Sequence, residues 1–223
     1  YYQFFIDKGF KNFRVFNNYG VILKGLGKLK EAEIYIRKSI QLNPTYATAF
    51  SNLGVILKDL GKLKEAELST RKAIELNPNY ATAFSNLGGI LKDLGKLKEA
   101  EISTRKSIEL NSNFADAHLN LGSILQDFGK LKEAEESTRK AIELNPNNEI
   151  ALNNYISLLT VYKPEKINTN LICVINEEFK KINLSYKKSC IITNEEAIKI
   201  YQDGLKIYKK YNLSLEVNHS QIY

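Results

Sequence analysis

Asparagine recurs every 34 residues along much of this chain, at Asn18, Asn52, Asn86, Asn120 and Asn154. A carboxamide has two N–H donors and a carbonyl acceptor, the functional groups of a peptide bond. Set along one surface, such a row can hold the backbone of an extended polypeptide regardless of its side chains, each bond contributing a net ~0.5–1.5 kcal/mol. Two uses of the row stay open: bonding to a peptide backbone, or a solvated, helix-supporting role. Other chemistry is sparse. There is no Gly-rich phosphate loop, paired-carboxylate site or nucleophile motif. His118 sits where a repeat residue should pack inward, which reads as structural, and His219 stands beside Ser220 with no identifiable partner. Glu177-Glu178 and Glu195-Glu196 read as solvated helix faces or a helix start. Cys173 and Cys190 follow no metal or redox spacing, which suits a reducing cytoplasm. The expectation is a non-enzyme with no cofactor and no metal site.

The elements that position the asparagines come from a 34-residue unit repeated four times. Ala47–Tyr80 and Ala81–Phe114 differ at five positions, and Phe13–Tyr46 and Ala115–Asn148 are looser copies in the same register. Such a period marks a helical solenoid whose units bury their apolar faces against their neighbours. In Ala47–Tyr80, Phe50, Leu53, Ile56, Leu57 and Leu60 recur at three- and four-residue steps, the stripe of one helix. Gly61 can take a left-handed cap there. Leu63, Ala66, Leu68, Thr70, Ala73, Ile74 and Leu76 then predict the buried side of a second helix, closed by Asn77-Pro78. Small Gly54 and Ala66 permit close approach within the repeat, and Ala73 admits the next repeat.

The pattern resembles the tetratricopeptide repeat (TPR) family. Gly20, Gly54, Gly88 and Gly122 match its eighth position, and Ala32, Ala66, Ala100 and Ala134 its twentieth. Ser39, Ala73, Ser107 and Ala141 match the twenty-seventh, and Pro44, Pro78 and Pro146 the thirty-second, where Ser112 departs. Phe or His118 stands where the family often has Trp. The wording KDLGKLKEAELSTRKAIELNP also looks like that of long TPR proteins of marine cyanobacteria, so a bacterial source is expected. The resemblance implies an all-α, right-handed solenoid of antiparallel helix pairs over 13–148. Residues 1–12 would be the second helix of a truncated repeat, and 149–163 the first helix of a partial fifth.

The resemblance also implies that the first helix of each repeat lines a concave groove through positions 2, 5, 6, 9, 12 and 13. Position 6 is then the asparagine row, and similar ladders occur in O-linked GlcNAc transferases. The flanking positions add Arg14, Thr48, Thr82 and Asp116, then Asn17, Ser51, Ser85 and Leu119. Further along lie Lys24, Lys58-Asp59, Lys92-Asp93 and Gln126-Asp127. This polar, mixed-charge lining suits hydrogen bonding to an extended segment better than capture of an amphipathic helix. Thr82-Asn86 and Asp116-Asn120 replace the Lys/Arg pair of carboxylate-clamp TPRs, which disfavours binding a C-terminal carboxylate.

The formal net charge is +7. Phe13–Tyr46 has six basic residues against two acidic, whereas Ala115–Asn148 has four against six. The array thus starts positive and ends mildly negative, through repeat drift or as a groove that orients a charged peptide. With no stacking aromatics and no continuous basic track, nucleic acid is not an expected partner. No apolar run reaches bilayer length, so no membrane partner is expected either. The chain opens Tyr1-Tyr2 without a methionine, so its native start is expected upstream. Past Pro164 the pattern is no longer TPR. An amphipathic helix over Ile167–Ile182 and a second from Thr193 to about Tyr211 form either a helical cap or, with flanking β-like runs, the start of an α/β domain. The expected function is a cytoplasmic, non-catalytic scaffold binding an extended peptide. The alternative is the substrate-recruiting arm of a larger glycosyl-, sulfo- or methyltransferase.

Overall fold

The computed structural model describes Gly9 and residues 11–161 of the chain. The truncated-repeat helix falls largely before this span, and Lys11 and Asn12 within it are not helical. The two helices and β-like runs expected after Pro164 lie outside the described residues. Four antiparallel helix pairs follow one another: α1 (Phe13–Gly25) and α2 (Leu29–Leu42), α3 (Ala47–Asp59) and α4 (Leu63–Leu76), α5 (Ala81–Asp93) and α6 (Leu97–Leu110), α7 (Ala115–Asp127) and α8 (Leu131–Leu144). A further helix, α9 (Glu149–Val161), packs on α8 and α7. No strand occurs among the described residues, which form an all-α solenoid of antiparallel helix pairs.

Helix ends follow directly from the sequence. At the first turn of each pair a glycine takes positive φ, as Gly61 does at 74°. This conformation lets Lys62 N–H donate back to Leu57 O at 2.8 Å and Gly61 N–H to Lys58 O at 2.9 Å, satisfying two terminal carbonyls. The second helices end differently. Asn77 is extended, at φ −143° and ψ 91°, rather than left-handed, and its side-chain oxygen accepts from Asn79 N–H at 3.1 Å. Asn111 takes almost the same angles before Ser112. The asparagine side-chain turn therefore shapes this exit without a following proline.

The helices of each pair cross at a glycine. A Cβ on Gly88 would overlap Thr104 Oγ1 and lie 3.3 Å from Ala100 O, and Gly54 meets Thr70 and Ala66 in the same way. Thr104 is itself fixed, its hydroxyl donating to Ala100 O at 2.9 Å in a fully buried position. Apolar packing crosses the seams: Leu23 and Ile36, Leu53, Ile56 and Leu57, and Ile90 come from three successive repeats yet form a single cluster. Each such side chain contributes roughly 1.5–3 kcal/mol on burial, and only its neighbouring repeat makes that burial possible. Leu158 of α9 packs with Leu121 and Leu125 in a separate cluster at the other end.

One expectation about the second helix is corrected. Leu68 is 70% exposed, as is its counterpart Ile102, whereas Ala66, Thr70 and Ala73 are buried. Residue 68 lies about 200° around a 3.6-residue helix from both 66 and 70, so it leaves the inward stripe despite being apolar.

Ion pairs also join the second helices. Glu67 accepts from Arg71 at 2.9 Å and from Lys96 of the next repeat at 2.8 Å, and Arg71 reaches Glu99 at 2.9 Å. Glu33 and Glu101 repeat the arrangement. The Lys96 hydrogen bond holds the Glu67 carboxyl below its ordinary range. At Glu33 and Glu101 burial pulls upward, but bonds from Lys62 with Arg37 and from Lys130 with Arg105 outweigh it. The fourth member, Glu135, is 8% exposed, and Pro164 occupies the sequence position of the incoming lysine. Its oxygen instead accepts from the Tyr155 hydroxyl of α9 at 3.1 Å. Burial, then the adjacent Glu135 charge, pushes that hydroxyl pKa well above the usual tyrosine range.

Candidate peptide-binding groove

First helices of successive repeats pack on one another, α1 on α3, α3 on α5 and α5 on α7, while the second helices make no comparably close pairing. The solenoid therefore curves toward its first helices, and the asparagine row lies along that inner side. The asparagines are not free-standing. Asn52 Nδ2 donates to Asn17 Oδ1 at 2.9 Å, and Asn17 Nδ2 donates in turn to Asn18 Oδ1 at 3.2 Å. Asn86 Nδ2 donates to Ser51 Oγ at 3.0 Å, and Asn120 Nδ2 to Ser85 Oγ at 3.0 Å. The three bonds donated by Asn52, Asn86 and Asn120 each span 35 residues, from position 6 of one repeat to position 5 of the repeat before.

The helix-supporting and ligand-binding uses of the row are thus compatible within one residue. Position 5 sits in the seam between first helices, so Ser51 (1% exposed), Ser85 (2%) and Asn17 (3%) are buried. Ser51 and Ser85, expected from sequence to touch a ligand, instead orient the asparagines that can. Asn52, Asn86 and Asn120 are half-buried, and their Oδ1 atoms have no partner among the described residues. Leu119 fills the position-5 slot facing Asn154. Leucine offers no acceptor, so half-buried Asn154 has no side-chain partner among the described residues. Asn18 is exposed at the opposite end.

Charges beside the row are paired in the same stepwise manner. Lys24 meets Asp59 at 3.3 Å, Lys58 meets Asp93 at 3.3 Å, and Lys92 meets Asp127 at 3.4 Å. Lys92 also donates to Ser123 Oγ at 2.6 Å. These side chains are 28–47% exposed, so each pair contributes at most ~1 kcal/mol and remains available to exchange for ligand contacts. Ser123, at position 9 of its repeat, joins this network through Lys92. The pairing of Lys24 with Asp59 had a sequence signal, because lysine at position 12 and aspartate at position 13 of a 34-residue unit must recur 35 residues apart. Arg14 stands outside the network, its guanidinium 5.6 Å from the Phe13 ring centroid. His118 is half-buried rather than core, its Nε2 2.9 Å from Ser112 O.

Family models described as tetratricopeptide repeat match residues 13–46, 47–80, 81–114 and 115–148. The chain belongs to the tetratricopeptide repeat family. Solved structures of TPR solenoids share the fold. Pseudomonas aeruginosa pilF is similar at 19% identity with a TM-score of 0.65, covering 91% of this chain and 93% of that one. TTC0263, described as a thermophilic TPR protein of Thermus thermophilus, is 18% identical with a TM-score of 0.64, covering 89% and 96%. YrrB, described as a TPR protein with an unusual peptide-binding site, is 21% identical with a TM-score of 0.56, covering 95% and 98%. No curated protein matches the chain in sequence. Among the described residues of this TPR chain, no helix is long and apolar enough to cross a membrane, and no His/Cys/Asp/Glu group could hold a metal ion.

Proposed function

We propose that this TPR chain is a non-catalytic protein-interaction scaffold that holds an extended segment of a partner along the inner face of its first helices. Asn52, Asn86, Asn120 and Asn154 bond to the backbone of that segment, and the Lys/Asp pairs beside them select among its side chains. The observation behind this reading is the row of half-buried asparagines anchored through Nδ2 to the preceding repeat, with Oδ1 left unpartnered among the described residues. An anchored amide has already lost its rotamer freedom, so less entropy remains to be lost on binding. The peptide-binding site in the description of YrrB agrees with such a use of the fold.

The test is a pull-down comparing parent, Asn52→Ala/Asn86→Ala/Asn120→Ala, and Ser51→Ala/Ser85→Ala. The serine variant removes two of the same inter-repeat bonds but keeps the asparagines, and its altered positions are buried beyond a ligand's reach. A partner retained by the parent and the serine variant but lost from the folded asparagine variant supports the reading. A partner retained equally by all three overturns it.

A further inference from the structure

We infer that a second docking site, apart from the asparagine groove, lies between the second helices α6 and α8. It takes an aromatic side chain of a partner segment together with a neighbouring arginine or lysine. The site is a pocket of about 460 Å³ with Ile108 of α6 and Leu121 of α7 as its apolar part. His118 of α7 and Ser137 of α8 also line it. Sites for drug-sized ligands run to about 300–1,000 Å³, so there is room for a ring and part of the residue beside it.

The sequence of the fourth repeat explains why the pocket opens here. In the first repeat, positions 4 and 23 hold Phe16 and Tyr35, whose rings stack with centroids 6.2 Å apart. The second and third repeats keep the phenylalanine, as Phe50 and Phe84. The fourth alone has neither aromatic, with His118 and Ser137 in those places. The smaller imidazole is tied to the loop before α7, its Nε2 lying 2.9 Å from Ser112 O. A carbonyl oxygen only accepts, so Nε2 is the protonated nitrogen. An incoming ring takes up the space that the other repeats fill with their own, and aromatic pairs favour centroid distances of about 4.5–7 Å.

The charges around the pocket decide what accompanies the ring. Of four Arg, Lys and Glu side chains that line it, three are committed. Arg105 is held by Glu101 at 2.8 Å and Glu133 at 2.9 Å. Glu109 is held by Lys106 at 2.7 Å, and Lys140 by Glu143 at 3.4 Å. The fourth, exposed Glu136, makes no ion pair among the described residues. Its counterparts in the earlier repeats, Ile34, Leu68 and Ile102, are apolar. The open carboxylate attracts a cation next to the ring and repels an acidic neighbour.

The test uses tryptophan fluorescence, because the chain itself contains no tryptophan. The full chain is titrated into acetyl-Gly-Arg-Trp-Gly-amide and into acetyl-Gly-Glu-Trp-Gly-amide, with excitation beyond tyrosine absorption. The expected result is a saturable blue shift, with the arginine peptide bound about threefold to fivefold tighter, as suits one exposed ion pair. Glu136→Gln should remove most of that preference. His118→Phe, which restores the ring of Phe50 and Phe84, should abolish binding, and Ser137→Tyr, the counterpart of Tyr35, should do the same. Circular dichroism checks that both blocking variants are folded. Binding to either folded variant as tight as to the parent overturns the inference. So does equal or tighter binding of the glutamate peptide, or the absence of a saturable shift with the arginine peptide. Tryptamine bound as tightly as the arginine peptide would make the ligand a free aromatic amine and overturn the docking of a partner segment.

Discussion

The Asn86–Ser51 bond can be weighed by a double-mutant cycle, because its two ends lie in different surroundings. Ser51 Oγ is buried and meets Asn86 Nδ2 at 3.0 Å, whereas Asn86 is half-buried beside the groove. Removing the amide in Asn86→Ala strands a buried hydroxyl, a loss of about 1–3 kcal/mol less whatever the serine recovers by bonding within its own helix. Removing the hydroxyl in Ser51→Ala leaves an amide that can turn toward water, so the loss should stay under about 1 kcal/mol. The double variant should cost less than the sum of the two, with a coupling of ~0.5–1.5 kcal/mol. Urea denaturation of parent, both single variants and the double variant, followed by circular dichroism, measures all four corners. A coupling near zero, or Ser51→Ala costing more than Asn86→Ala, would refute the idea that the seam anchors the groove asparagines.

Other expectations follow from the packing and the charges. Gly88→Ala should lower stability by ~1–3 kcal/mol, since its Cβ meets the buried, hydrogen-bonded Thr104; adding Thr104→Ala should restore much of the loss, and a Gly88→Ala melting temperature equal to the parent's would contradict the crossing. Tyr155→Phe should cost ~1–3 kcal/mol by removing a hydroxyl donor from buried Glu135, read as a lower urea midpoint. Tyr80→Phe, at a half-buried position before α5 whose hydroxyl has no partner among the described residues, should leave the midpoint unchanged. Glu33, Glu67 and Glu101 all have folded-state pKa values below the ordinary 4.5. Their contribution is therefore complete above that pH and lost as pH falls through the depressed values. Urea midpoints at pH 7 and pH 3 should differ more for the parent than for Glu33→Gln/Glu67→Gln/Glu101→Gln, and parallel losses would count against the ion-pair row.

Much of the architecture was legible because it is local and repeated. The 34-residue period, the glycine at each first turn and the small residue at position 8 act through backbone conformation and close approach, which depend on the residue itself and its near neighbours. The outlying copies could be read in the same register for that reason. Leu68 shows the limit of reading by hydropathy, since an apolar residue 200° off the stripe is exposed however greasy it is. The C-cap at Asn77 shows another. Its extended form follows from a side-chain turn that it shares with Asn111, which no proline follows.

The groove divides in the same way. Sequence alone determined that asparagine returns in every first helix and that lysine and aspartate return beside it. Tertiary structure alone decided which of these groups are already bonded. The curvature of the array brings position 6 of one repeat against position 5 of the last, so Ser51 and Ser85 vanish into the seam while the asparagine oxygens remain. Leu119 breaks that pattern for Asn154 by lacking an acceptor. Periodicity places residues on a face, but hydrogen-bond partnership depends on how adjacent faces meet, and that is set by the packing of whole helices.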